Sequence, residues 1–227
     1  YKMAELQERL EKLILRLDLM GMRVEQALAD AIHAIKNNDV EAGKEVNLRD
    51  SAIDREEVEI EQECIRLLAL YQPAAIDLRT ICTIIKVNSD LERIADLAAG
   101  IGRRVKHVVE NQVDFECHSD LDHLFVITTD ILGRTVRTLK AVSASTARKI
   151  IEADDEIDNQ YRQFVSGVLA NQDRSAETVE TALTLINTAK AMERIGDLCT
   201  NIAEDIIFLK TGDIVRHAEA MKDNPQD

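Results

Sequence analysis

The chain has 227 residues, a formal net charge of −14, no tryptophan and only two prolines, Pro73 and Pro225. Asp and Glu total 42 against 28 Lys and Arg, which argues against a nucleic-acid ligand and toward cations or basic protein surfaces. Good helix formers dominate, so the composition indicates an all-α fold.

Apolar residues recur at spacings of three and four along most of the chain, and six helices follow from them. The first runs from about Ala4 to Lys36. "NNDVE" interrupts it, and Asp39 is placed to cap the second, which continues to about Tyr71. Tyr71 and Gln72 close a hairpin, and Pro73 is expected in the first turn of the third helix, which ends near Val109. "ENQVDFECHSD" (Glu110–Asp120) is polar and irregular and marks the domain boundary. The fourth helix runs from about Leu121 to Ala141. Ser143, Ser145 and Thr146 offer caps for the fifth, which ends at a turn over Asn171–Ser175. The sixth spans about Glu177 to Lys210, with Gly212 as its stop.

Each half therefore reads helix, helix, helix. Residues 91–98 are LERIADLA and residues 192–199 are MERIGDLC, so an internal duplication is the simplest account. Short connections make antiparallel neighbours, giving two pseudo-symmetric three-helix bundles over residues 1–112 and 113–212, with 213–227 a frayed tail. The expected core stripe of the third helix is Ile84, Val87, Leu91, Ile94, Ala98, Ile101, Val105 and Val108. That of the sixth is Leu185, Met192, Ile195, Cys199, Ile202, Ile206 and Leu209.

The chemistry lies on another face. Glu92 and Asp96 are four apart and share one side of the third helix, as Glu193 and Asp197 do on the sixth. Asp50 and Asp54 have this spacing on the second helix, and Asp154 and Asp158 on the fifth. Like charges at i,i+4 repel, so something should compensate them. Asp54 and Glu92 are both nineteen residues from Pro73, and Asp50 and Asp96 are both twenty-three from it. The midpoints of Asp158 with Glu193, and of Asp154 with Asp197, both fall between Ser175 and Ala176. Each hairpin should thus bring four carboxylates to one level. Such an oxygen-rich set, without His or Cys, suits Mg²⁺, Mn²⁺, Ca²⁺ or iron. Asn201 extends the acidic face of the sixth helix and could add a carbonyl oxygen. Its counterpart is Gly100, and Glu204 has the basic counterpart Arg103, so the second site is expected to be the more complete. Arg93 and Arg194 could instead neutralise these acids as ordinary surface pairs.

The doubled "ERI(A/G)D", the "QPAAIDLR" before its first copy and the "ERIGDLCTNIAE" of the second resemble the PhoU family of phosphate-uptake regulators, over about residues 5 to 212. The resemblance implies two pseudo-symmetric three-helix bundles and a non-enzymatic cytoplasmic regulator. It implies restraint of the phosphate regulon and of high-affinity phosphate uptake when phosphate is plentiful. The implied partners are the ATPase subunit of the phosphate ABC transporter and a sensor histidine kinase. It also implies metal ions held by carboxylates (iron, or manganese, magnesium or zinc) at acid-x-x-x-Asp motifs. Those motifs fall here on Asp50/Asp54, Glu92/Asp96, Asp154/Asp158 and Glu193/Asp197.

Cys64, Cys82, Cys117 and Cys199 form no C-x-x-C pair and read as reduced thiols filling helix faces. None of the histidines, His33, His107, His118, His123 and His217, falls in the acidic motifs. There is no Glu-x-x-His of the kind helical di-iron enzymes use, and no Gly-rich phosphate loop. No run approaches the ~18 apolar residues of a membrane span, and no leader pattern is seen, so the cytoplasm is the expected address. A homodimer is expected. Asp77 and Arg79 are read as a cap or ion pair of the third helix, with contact to a partner as the alternative, and Met3, Met20 and Met22 as core or partner-facing. Two competing readings use the same sites: a metal-storage protein or metal-dependent enzyme, and a plain helical adaptor with inert acids.

Overall fold

A computed structural model describes residues 2–113, 119–170 and 176–215. It contains six helices: α1 (Lys2–Lys36), α2 (Val40–Tyr71), α3 (Ala75–Glu110), α4 (Ser119–Ala141), α5 (Ala144–Ala170) and α6 (Ala176–Thr211). No strand occurs among the described residues. The turn expected at 171–175, most of the tail, Cys117, His118 and His217 lie outside them.

The helix ends follow the local chemistry. Asp39 caps α2, its carboxylate accepting the Ala42 N–H at 2.9 Å. Ser143 does the same for α5, accepting the Thr146 N–H at 3.3 Å. Gly212 ends α6 at φ +83, donating its N–H to the Phe208 carbonyl at 2.8 Å. Pro73 is not in the first turn of α3, which starts two residues later at Ala75. Proline disfavours the right-handed helical region for the residue before it, so Gln72 leaves α2 at φ 48. Asp77 is not a cap. It lies buried in the first turn of α3 and accepts a 2.9 Å bond from the Gln7 amide, which ties α1 to the hairpin.

Each half is a three-helix bundle, α1–α3 and α4–α6, and the two share one contiguous apolar core. All eight stripe residues of α3 are buried; on α6 only Leu209, in the last turn, stays half-exposed. Removing one such Leu or Ile side chain to Ala costs about 2–5 kcal/mol. Met20 is core, whereas Met3 and Met22 face out. The Cys64 and Cys199 thiols are buried, and burial pushes both up to about 12, as space-filling residues.

The halves meet through like helices. α1 and α4 run antiparallel, with ion pairs from Lys36 to Asp122 at 2.8 Å and from Lys140 to Asp18 at 3.4 Å. α3 and α6 also run antiparallel: Lys86 Nζ lies 3.3 Å from Asp205 Oδ1, and Arg79 packs against Gly212 at the far end. The two ERI(A/G)D stretches sit near the centre of that crossing.

Candidate metal centre

The register read from sequence holds in both hairpins. In the second, Asp158 of α5 and Glu193 and Asp197 of α6 each offer a carboxylate oxygen, all within 4.8 Å of one another. Among the described residues no other group of three comes this close. Asp154 joins them one turn away. Its carboxyl is pushed up to about 6, first by burial and then by the charges of Asp197, Asp158 and Asp155, while the Thr200 side chain pulls the other way. Asp197 is also raised, by burial and then by Glu193 and Asp158, with Lys190 and Arg194 opposing.

Whether these residues suit a metal can be judged from their own geometry. Glu193 Oε2 is buried without a hydrogen-bond partner, and the buried Asp154 carboxyl has only the Thr200 hydroxyl to offset its neighbours' charge. Buried polar atoms rarely go unmatched in native proteins. The glycine in ERIGD lets α5 approach closely here: a Cβ at Gly196 would lie 3.2 Å from Asp154 Oδ1 and 2.8 Å from Ile157 Cδ1. An all-oxygen donor set with several carboxylates fits a hard cation such as Mg²⁺, Mn²⁺ or iron. It fits zinc less well, because zinc favours nitrogen and sulfur ligands. Two basic side chains hold the rim. Lys190 Nζ is 2.6 Å from Glu193 Oε1, and Arg162 lies 2.9 Å from Asp158 Oδ2.

The first hairpin gathers the same acids more loosely. Glu92 is raised by burial, then by Asp54, Asp96, Glu57 and Asp50, so it feels the other three expected carboxylates and a further one, Glu57. Asp50 is raised by burial and by Asp54 and Asp96, with Arg103 opposing, and its Oδ1 is buried without a partner. Asp96 is drawn aside. Its Oδ1 meets Arg103 Nη2 at 3.2 Å, and the same guanidinium donates to Asn47 Oδ1 at 2.8 Å.

The two sites share a border. Glu92, Arg93 and Asp96 of α3 and Arg194, Asp197 and Asn201 of α6 line one groove between the halves. Asn201 thus faces the α3 side, on the outer flank of Asp197. Arg93 approaches Asp90, at 3.6 Å, which leaves the motif acids to other partners. Sequence reasoning missed Thr200, Lys190 and Glu57. The first two lie on α6 within one turn of the motif acids and could have been found by extending that face by a turn at each end. Glu57 lies three residues beyond Asp54, on the same side of α2. His107 and His123 pair with Glu180 and Glu156, at 3.5 and 3.9 Å, outside both acidic clusters.

Known proteins share the fold and much of the sequence. The PhoU domain matches the chain twice, over residues 17–105 and 121–206, one match per bundle. The phosphate-specific transport system accessory protein PhoU of Serratia marcescens is 36% identical over 206 residues, covering 87% of this chain and 81% of that protein. The crystal structure of PhoU from Pseudomonas aeruginosa superposes with a TM-score of 0.87 at 29% identity, over 91% of this chain and 99% of that one. The phosphate transport system regulatory protein PhoU from Streptococcus pneumoniae gives 0.84 at 28% identity, over 92% and 99%. With both bundles matched and the likeness running along most of its length, the chain belongs to the PhoU family.

Proposed function

We propose that this protein is a non-enzymatic, cytoplasmic regulator of the phosphate-specific transport system. It restrains the phosphate regulon and high-affinity phosphate uptake through contacts with the transporter's ATPase subunit and a sensor histidine kinase. The observation that carries this reading is the double match to a family whose relatives are named as transport accessory and regulatory proteins. The net charge of −14 suits docking to basic protein surfaces, and no described helix is long and apolar enough to cross a membrane.

The acidic hairpins are proposed as metal sites within that role. Asp154, Asp158, Glu193 and Asp197 would hold the ion in the second bundle, and Asp50, Asp54, Glu92 and Asp96 in the first. A bound cation supplies positive charge that cancels carboxylate repulsion. The residues themselves do the rest: they link α5 to α6, and α2 to α3, so an occupied site stiffens its hairpin and changes the charge of the groove between the bundles.

The test is alkaline phosphatase activity in a deletion strain grown with ample phosphate. Strong derepression, reversed by this gene, supports the regulator reading; unchanged activity overturns it. Metal content of the purified protein, compared with that of a Glu193→Ala/Asp197→Ala variant, tests the ligands separately. Equal content in the two would remove the second-bundle assignment.

A further inference from the structure

We infer that Lys190 is a tethered cation that occupies part of the second acidic site, competes with the metal ion for Glu193 and so sets how tightly that site binds. The inference rests on the metal reading proposed above. Lys190 stands one turn before Glu193 on α6, and its Nζ lies 2.6 Å from Glu193 Oε1. The Glu193 side chain is only 13% exposed, whereas that of Lys190 is 44% exposed. The ammonium therefore caps a largely buried carboxylate from the solvent side.

That cap is incomplete. One monovalent group meets one oxygen, leaving Glu193 Oε2 buried without a partner and the Asp154 carboxyl among like charges. A divalent ion can take several of these oxygens at once, and to do so it must share or displace the ammonium. The fold provides a place for a displaced ammonium, because Nζ already lies 5.1 Å from the centre of the Tyr161 ring, within cation–π range. Lys190 needs only to swing about its flexible stem to exchange Glu193 for the ring face and water. The first hairpin has no such device at the matching position, which is Ser89. Its own cation, Arg103, acts from the opposite end of the motif and on Asp96.

A positive charge kept within about 4 Å of a divalent ion opposes binding strongly at the partly screened edge of a protein. Removing it should tighten the site by about tenfold or more. The experiment is a calorimetric titration of chelator-stripped full-length protein with Mn²⁺. Asp54→Ala and Glu92→Ala are present throughout to silence the first hairpin. Lys190→Met keeps the apolar stem and removes the charge; Lys190→Arg keeps the charge; Glu193→Ala removes the ligand.

The expected result is Mn²⁺ binding about tenfold tighter in Lys190→Met, near the parent value in Lys190→Arg, and lost in Glu193→Ala. Equal or weaker binding in Lys190→Met, with Glu193→Ala still losing the ion, overturns the role of Lys190 and leaves the metal site standing. Tightening in Lys190→Arg as great as in Lys190→Met also overturns it, since charge would not be the cause. No Mn²⁺ binding in any form overturns both this inference and the metal reading beneath it.

Discussion

The two hairpins start from the same plan and differ in where they put their smallest residues. In both, the first acid lies eleven residues after the cap, Asp50 after Asp39 and Asp154 after Ser143. In the first hairpin the tight spot is at the end away from its turn. A Cβ on Gly43 would lie 2.6 Å from the Gly102 carbonyl oxygen, and one on Gly102 the same distance from the Gly43 oxygen. The second hairpin has Ala147 and Ala203 at the matching positions, both fully buried. Its glycine is at the level of the acids instead, Gly196 where the first has Ala95. The duplication kept the acids and shifted the close approach, which in the second hairpin brings α5 against α6 at the level of the carboxylates and in the first lies well away from them.

The largest expected effect attacks that close approach. Helix propensity alone says that Gly102→Ala should stabilise α3 by up to about 1 kcal/mol. The backbone contact says the reverse, because α2 and α3 must move apart to admit the methyl group. Overpacking of this kind costs about 1–3 kcal/mol, which lowers the melting temperature by about 2–10 °C in a domain of this size. Gly100→Ala is the control. Its Cβ would meet nothing nearer than Arg103 Nη2 at 3.5 Å, so only the propensity gain of about 1 kcal/mol or less remains. Thermal melts of the two variants should move in opposite directions. If both rise, the α2–α3 contact is not tight.

This pair also shows what the sequence made legible. Periodicity, caps and the midpoint rule placed the helices and the four acidic pairs, because these depend on local spacing that α-helical geometry translates directly. Pro73 was misplaced by two residues, because the left-handed exit at Gln72 is a matter of backbone dihedrals and not of pattern. By helix propensity alone Gly102 is a weak point in α3; only the position of α2 reveals it as a contact. The tetrads were foreseen, but not that Lys190 and Arg103 would each engage one of them, since a long side chain's reach is not encoded in its spacing. The antiparallel crossing of α3 and α6, which joins the two motifs in one groove, is a tertiary fact with no local signal.

The next effect separates the acids by charge. Asp154 has a folded pKa of about 6 against an ordinary value of 3.8, so the folded chain holds a proton that the unfolded chain releases. The stability this group contributes is full below 3.8 and is lost as pH rises through about 6. Asp154→Asn removes that loss. In chelator, the variant's melting temperature relative to wild type should therefore climb between pH 4 and pH 7.5. Saturating Mn²⁺ should reverse the order at pH 7.5, because the amide is a poorer ligand than the carboxylate. A gap in chelator that stays constant with pH would mean that Asp154 is not strained by its neighbours. In the first hairpin Asp50 is raised for the same reasons, but Arg103 opposes the shift, so Asp50→Asn should show the same trend with smaller amplitude.

The smallest effect asks whether Arg103 is what weakens the first hairpin. Its side chain is 51% exposed and its partner Asp96 is 59% exposed, so the pair is worth about 0–1 kcal/mol. Both groups are more than half exposed, so solvent screens the guanidinium's repulsion of a cation, and Arg103→Gln should gain up to about fivefold in affinity. The measurement is Mn²⁺ titration in a Glu193→Ala/Asp197→Ala background, where only the first site is left. A gain near this ceiling would assign most of the difference between the hairpins to one exposed guanidinium. No gain would assign it to the packing instead. Ala95 stands where Gly196 lets α5 press against α6 beside the second set of acids, whereas in the first hairpin the helices press together at Gly43 and Gly102, away from the acids.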